Sequence, residues 1–379
     1  MENYIVSARK YRPLTFESVV GQTHITATLK NAIRNGQLAQ AFLFCGPRGV
    51  GKTTCARILA KVINCEHPTG DMEPCNECDS CRSFNEGSSM NIFELDAASN
   101  NSVEMIRELV RQTDVPPQTG RYKVYIIDEV HMLSSAAFNA FLQTLEEPRP
   151  YVKFILATTE KHKIIPTILS RCQIFDFRRI STGDIVGHLA HIAAQEGVTY
   201  EPQALHLIAQ KADGGLRDAL STFDQLVNFT QGNLTANACA ENLNLLDSEY
   251  YFRLVDDFLR GDLPQAMLLL DDILNKGFDG QHFIGGLSMH LRNLLMSIDP
   301  SSLRLIDAAD DVRQRYGEQA LACGLALIVA YLEISNDYEF RYRSAGNKRL
   351  FLEVCLMKMG ELRGRRFAAA GPQTSGNRG

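Results

Sequence analysis

The sequence predicts an α/β domain built on a parallel sheet, followed by two all-helical domains. Three observations carry that prediction. Apolar runs of strand length alternate with helical patterns up to about residue 180, the pattern of a parallel sheet with helices on both faces. The alternation then stops, and everything from Thr182 to about Arg365 reads as helix. At 379 residues, 45% hydrophobic and 22% charged, the chain is too long for one ordinary domain and normal for a globular protein.

Residues 1–22 have little periodicity. Thr23 is the expected N-cap of a first helix, with Ile25, Leu29 and Ile33 on one face and Gly36 as its stop. AFLFC (41–45) is the first buried strand, followed by a glycine-rich loop and a helix from about Lys52 to Ile63. NIFELD (91–96), YKVYIIDE (122–129), VKFILATT (152–159) and QIFDF (173–177) are the next four strands. Between them lie a helix over 102–112 and one after Ser134 carrying Phe138, Phe141, Leu142 and Leu145, ended by Pro148. The predicted domains are 1–180, with a cysteine-rich insert at 65–81, then 181–240 and 241–365. Residues 366–379 are expected to be a disordered tail or the start of a linker.

Formal net charge is -5, so no global basic field draws the chain to nucleic acid, and any such contact must be local. No signal peptide is expected from MENYIVSARKYRP. The longest apolar run, Leu321 to Leu332, is too short to span a bilayer and reads as a buried helix. A cytosolic chain is expected. There, clustered cysteines bind metal more often than they pair. Six of the ten (Cys45, Cys55, Cys172, Cys239, Cys323, Cys355) are scattered among apolar neighbours and are expected in the core.

GPRGVGKT (46–53) fits G-x-x-x-x-G-K-[ST] between a strand and a helix. Such a loop turns backbone N–H groups and a helix N-terminus toward phosphates. Lys52 is placed to neutralise the β- and γ-phosphates and Thr53 to help hold Mg²⁺. The alternative is a plain glycine turn. VYIIDEVH (124–131) ends a strand in two acids: Asp128 suits the Mg²⁺ shell, and Glu129 suits a general base acting on water. The adjacent pair favours ATP hydrolysis over a GTPase; two solvated helix-capping acids are the alternative. His131 is expected to be structural. LATTE (156–160) puts Thr158 and Thr159 at a strand tip, where a polar side chain senses the γ-phosphate or orients the water.

Cys65, Cys75, Cys78 and Cys81 form C-x9-C-x2-C-x2-C. Four thiolates at these gaps reach one tetrahedral centre, and a closed four-cysteine site is structural. Iron–sulfur runs usually carry a fourth cysteine followed by proline, whereas Cys81 is followed by Arg82-Ser83, so zinc is favoured.

With these motifs the chain resembles the AAA+ ATPases of the clamp-loader branch, most closely the gamma/tau subunits of bacterial DNA polymerase III, from residue 1 to about 365. ILSRC (168–172) resembles that branch's Ser-Arg-Cys motif, which implies that Arg171 enters a neighbouring subunit's ATP site. GGLRDAL (214–220) resembles the sensor-2 motif, which implies that Arg217 reaches the γ-phosphate of its own ATP. Alternatively, Arg171 is a surface arginine and Arg217 pairs with Asp218 or Asp213. YRPLTFESVVGQ (11–22) is similar to the segment lining the adenine pocket. The resemblance thus implies an ATP site formed by Tyr11, Arg12, Pro13, Val19, Val20, Gly46, Pro47, Gly49, Val50, Gly51, Lys52, Thr53, Thr54, Thr158, Thr159 and Arg217. It implies an AAA+ P-loop domain with a small zinc module inserted after the P-loop helix, an all-α lid and an all-α collar that oligomerises.

The function it implies is ATP-driven loading of a sliding clamp onto primed DNA. The implied partners are further gamma/tau copies, delta, delta-prime, the clamp and primer–template DNA, with no membrane, in a bacterial cytoplasm. Arg107 and Arg111, four apart on one helix, are candidates for the DNA backbone or a solvated face. Arg341, Arg343, Lys348 and Arg349 read as solvated or interface residues. Two other readings remain. One is a non-hydrolysing delta-prime-like scaffold, which would not need both Asp128 and Glu129. The other is a branch-migration helicase motor, against which the cysteine module and all-helical end count.

Overall fold

Five strands form one parallel sheet: β1 Ala41–Cys45, β2 Ile92–Asp96, β3 Lys123–Asp128, β4 Val152–Thr158 and β5 Gln173–Asp176, in the order β2-β3-β4-β1-β5. The structure is a computed structural model and describes residues 5–99, 101–117, 120–243, 248–306, 308 and 310–369. It divides into two compact units, Met1–Cys239 and Ala240–Gly379.

β1 and β4 are buried along their whole length, which is why they read as continuous apolar runs. Alternation sends side chains to two cores. Phe42, Phe44, Val124, Ile126, Ile155 and Ala157 pack under Ile58, Leu59 and Val62 of the helix Lys52–Asn64. Leu43, Tyr125, Ile127, Phe154 and Leu156 face Ile106, Leu109, Phe138 and Phe141 on the other side. The register aligns the carboxyl ends: Cys45 opposes Thr158, and Asp96 opposes Asp128. In an open parallel sheet, that edge is where ligands bind.

A short helix, Ser7–Lys10, precedes the expected one, which spans Thr23–Arg34, so Thr23 is its first residue and not its N-cap. Gln22 holds the cap position without a side-chain cap bond. Its buried amide instead donates to Arg178 O (2.7 Å) and Val50 O (3.4 Å). Ser102 and Ser134 do cap their helices, accepting from Met105 N and Ala137 N. After the sheet come the helices Thr182–Glu196, Pro202–Lys211 and Leu216–Phe229. This region is not wholly helical: β6 Thr199–Tyr200 and β7 Asn233–Leu234 form a short parallel pair. Two-residue strands in polar turns leave no periodicity to read.

The second unit is helical, running from Ser248–Arg260 through Lys348–Ala369. Phe252, Phe258, Ile273, Phe283, Leu287, Leu291, Ile328, Tyr331 and Leu356 are among its core residues. The apolar run at 321–332 is not one buried helix. Gly324, at φ 74°, splits it between Asp310–Cys323 and Leu325–Arg341, which meet at 101°. Ile328 and Tyr331 are buried, but Leu321 is 81% exposed and Leu325 57%. Hydrophobicity alone hid that break, because glycine in left-handed backbone costs nothing there. Among the described residues, no single helix is long and apolar enough to cross a membrane. The last helix reaches Ala369, and the rest of the expected tail, 370–379, lies outside the described residues.

Candidate active site and cysteine centre

The glycine-rich loop follows β1 directly, and Gly51 at φ 100° takes the N-cap position of Lys52–Asn64. A side chain there would be strained. Lys52 is 5% exposed, and its Nζ donates to Gly46 O (2.8 Å) and Pro47 O (2.7 Å). Burial lowers its pKa, while the neighbouring Glu129 and Asp128 act to raise it. Thr53 Oγ1 donates to Asp128 Oδ2 at 2.6 Å, which joins the loop to the tip of β3.

Glu129 lies in left-handed backbone, φ 46° and ψ 44°. Its N–H donates to Asp128 Oδ1 (2.9 Å), and its Oε2 accepts from Thr159 Oγ1 (2.9 Å) and Thr159 N (3.2 Å). Thr158 is placed differently from Thr159. It is fully buried, and its hydroxyl lies 3.0 Å from His131 Nδ1 and accepts from Glu160 N. His131 is 3.4 Å from Glu129 and 3.2 Å from Glu160, so it packs behind the acids as a brace.

A cleft opens over these groups. Tyr11, Arg12, Pro13, Val19, Val20, Gly49, Val50, Gly51, Lys52, Thr53, Thr54, Asp128, Glu129 and Arg217 line it. Gly46, Pro47 and Thr159 line a neighbouring depression with Lys161 and Asp176 instead. Sequence reasoning missed Val6, Ala8, Arg9, Arg48, Asp96, Ile180, Leu216 and Leu220 on the cleft wall. Leu216 and Leu220 flank Arg217 at i, i+4 spacing, a signal that was available. Asp96 ends β2 in register with Asp128, which only the sheet order shows.

Arg9, Arg12, Arg48, Lys52 and Arg217 put positive charge around the cleft, and Asp96, Asp128 and Glu129 put negative charge at one part of it. Burial, reinforced by the nearby Arg57, lowers the Arg12 pKa. The arrangement suits a polyanion carried with a divalent cation. Arg217 N donates to Gly49 O at 3.4 Å, so the lid helix meets the loop itself. Asp213 pairs with Arg179.

Arg171 does not line the cleft of its own chain. It donates to Thr167 O (2.8 Å) and pairs with Glu146 (2.8 Å). Arg107 and Arg111 are exposed on the helix Val103–Thr113, where Arg111 lies 3.3 Å from Glu108. In the second unit, Arg341 pairs with Asp337, and Arg349 with Asp271 and Glu353. Arg343 donates to Gln281, and Lys348 lies over the Tyr342 ring.

The four clustered cysteines are free thiols, with Sγ atoms all within 4.8 Å of one another. Cys65 Sγ is 3.4 Å from Cys75 Sγ and 4.0 Å from Cys78 Sγ. A tetrahedral zinc at about 2.3 Å from each sulfur sets sulfurs about 3.8 Å apart, so the donors fit. Cys75 N and Cys78 N donate to Cys65 Sγ and Cys75 Sγ. Burial acts to raise the Cys75 pKa, but N–H donors from Glu77 and Cys78 and the neighbouring thiols bring it to about 6. Of the other six, Cys172 is half-buried and five are buried.

Known sequences supply the comparison. A family model described as "DNA polymerase III, delta subunit" matches residues 21–181, and one described as "DNA polymerase III clamp loader subunit, ATPase lid domain" matches 184–232. The chain is 36% identical to a DNA polymerase III subunit gamma from Buchnera aphidicola subsp. Baizongia pistaciae, over 92% of this chain and 93% of that one. The chain belongs to the DNA polymerase III gamma/tau family. It is also 40% identical to the subunit tau of Bacillus subtilis, over 94% of this chain and 63% of the relative. For the subunit tau of Escherichia coli the values are 41%, 83% and 49%. The chain therefore spans half to two thirds of the length of those tau relatives. The lid-domain match falls on the helices that carry Arg217 to the glycine-rich loop.

Proposed function

We propose that this chain is the ATP-hydrolysing motor of a bacterial clamp loader, which loads a sliding clamp onto primed DNA in the cytoplasm. The observation that carries the reading is the meeting of loop and strand tip: Thr53 and Asp128 in contact, Glu129 beside them and Lys52 buried behind. ATP would lie with its phosphates on Gly49, Gly51 and Lys52 and its base against Tyr11, Pro13, Val19 and Val20. Mg²⁺, held by Thr53 and Asp128, would neutralise phosphate charge. Glu129 takes the proton of the water that attacks the γ-phosphorus, and the bond to the bridging oxygen breaks toward ADP. Thr159 orients Glu129 through Oε2. Arg217 contacts the γ-phosphate in cis, and Arg171 of one copy serves the site of a neighbour, so hydrolysis depends on assembly. Further gamma/tau copies, delta and delta-prime, the clamp and primer–template DNA are the partners. Arg107 and Arg111 are offered to the DNA backbone. Zn²⁺ on the four cysteines is structural.

The decisive experiment is ATPase activity of the chain reconstituted with its partners, with and without clamp and primed DNA. Stimulation by both is expected, with Glu129→Gln binding ATP normally and turning over at least about 10²-fold more slowly. Unstimulated turnover, or a Glu129→Gln complex at wild-type rate, rejects the reading.

A further inference from the structure

The cysteine insert is not an isolated outcrop. Glu73, in the loop between Cys65 and Cys75, is 6% exposed. Its carboxylate accepts from Phe16 N (2.6 Å) and Glu17 N (2.9 Å), and pairs with Lys30 at 2.6 Å. Its own backbone is pinned by Thr69: Glu73 N donates to Thr69 Oγ1, and Thr69 N to Glu73 O. Lys61, 3% exposed on the helix after the glycine-rich loop, adds a second tie. It donates to Asn76 Oδ1 (2.6 Å) of the insert, to Asn85 Oδ1 (3.3 Å) at the end of the helix Asp79–Asn85, and to Leu14 O (3.3 Å).

Phe16 and Glu17 are therefore held by the insert, and Leu14 by Lys61 beside it. On either side of them in sequence, Tyr11–Pro13 and Val19–Val20 line the cleft. Upstream, the same segment is tied to the lid: Ser7 N donates to Asp224 Oδ2 at 2.7 Å, and Lys10 pairs with Glu196 at 2.6 Å. The segment is a strap with the lid at one end and the cysteine insert at the other. Only the insert end carries a buried carboxylate bonded to two backbone donors, the stronger kind of anchor.

We propose that the cysteine insert, through Glu73, fixes the N-terminal wall of the nucleotide cleft, so that metal binding at the four cysteines sets nucleotide affinity. Glu73 is a positioning residue; it touches no reacting atom. The metal would hold the 65–81 loop in the one shape that presents Glu73 to Phe16 and Glu17. Without that carboxylate the buried Phe16 N–H and the part-buried Glu17 N–H lose their partner, and the strap is released. The proposal rests on the nucleotide-binding reading above.

The test uses the full chain and three readouts: affinity for a fluorescent ATP analogue, amide exchange, and zinc content. In Glu73→Ala, the dissociation constant is expected to rise roughly tenfold. Exchange at Phe16 and Glu17 should quicken while β1 and β3 stay protected and zinc is retained. Lys30→Met keeps both backbone bonds and should bind within about twofold of wild type. Zinc removal from the wild-type chain by chelator should reproduce the Glu73→Ala affinity and exchange, which covers the case of a variant that does not fold. Faster exchange at Phe16 and Glu17 with unchanged affinity overturns the proposal. So does Lys30→Met matching Glu73→Ala. If the wild-type chain binds no nucleotide, the underlying reading fails instead.

Discussion

Glu129 shows how much of the site is decided one residue at a time. A non-glycine residue in left-handed backbone costs on the order of 1 kcal/mol or more, and such strain persists only where surroundings hold it. Here Asp128, Thr159 and His131 do. Lys52 and Arg171 give the sharpest single-residue contrast. Lys52 is buried within the loop, so Lys52→Ala should abolish ATP binding in an equilibrium titration. Arg171 lies outside its own chain's cleft, so Arg171→Ala should leave binding intact and cut turnover of the assembled complex by ~10³ or more. Tight ATP binding by Lys52→Ala, or normal turnover by the Arg171→Ala complex, contradicts the assigned roles. Lys52, Thr53, Asp128 and Glu129 were legible in sequence because each sits at a fixed offset from a strand end. The distinction between Thr158 and Thr159 was not, since it depends on His131 arriving from another loop.

Among the elements, the central strands β1, β3 and β4 were the most legible, because a strand buried on both faces must be apolar throughout. Helix starts were less so. Thr23 has the chemistry of a cap, but Gln22 takes that position and spends its amide on Arg178 and Val50 instead. The helix Gly280–Met296 carries a pH-sensitive element. His290 is 2% exposed, with Nε2 3.0 Å from Gln319 Oε1 and aromatic rings of Phe252 and Tyr316 against it. Burial, with some contribution from Arg315, lowers its pKa from 6.5 to about 4, against the bond to Gln319. The fold therefore keeps it neutral while the unfolded chain takes a proton below pH 6.5. Stability from this residue is complete above that pH and falls as pH drops from about 6.5 to about 4, by about 3 kcal/mol in all. Urea unfolding at pH 7 and pH 4.5 should show a loss smaller by about 2 kcal/mol in His290→Gln than in wild type. Equal losses would mean that His290 does not carry the acid sensitivity.

At the scale of the whole molecule, the cysteine centre is the feature with the most to measure. A 17-residue insert (65–81) has little apolar surface of its own, with Cys78 and Cys81 among its few buried residues, so on the structural-zinc proposal its shape would depend on the ion. Purified protein should carry about one equivalent of zinc. Less than about half an equivalent, or a brown chromophore, would point to another centre or none. Sequence spacing was enough to group these four cysteines, because thiols two residues apart turn onto one ion by local geometry. It gave no sign that Glu73 reaches Phe16, Glu17 and Lys30, positions 43 to 57 residues away.

By itself the sequence determined the fold class, the phosphate-type loop, the acidic strand tip and the cysteine quartet. All of these are written in residues close together in the chain, where backbone geometry alone sets their relation. Tertiary structure decided what closes around them. The strap at 6–20, Asp96, Leu216 and Leu220 reach the cleft through strand order and lid packing. Gly324 turned a run that reads as one buried helix into two that meet at an angle, leaving Leu321 exposed. Local chemistry repeats along the chain and can be read there. Convergence depends on long-range packing, in which many residues share the burial and none announces its partner.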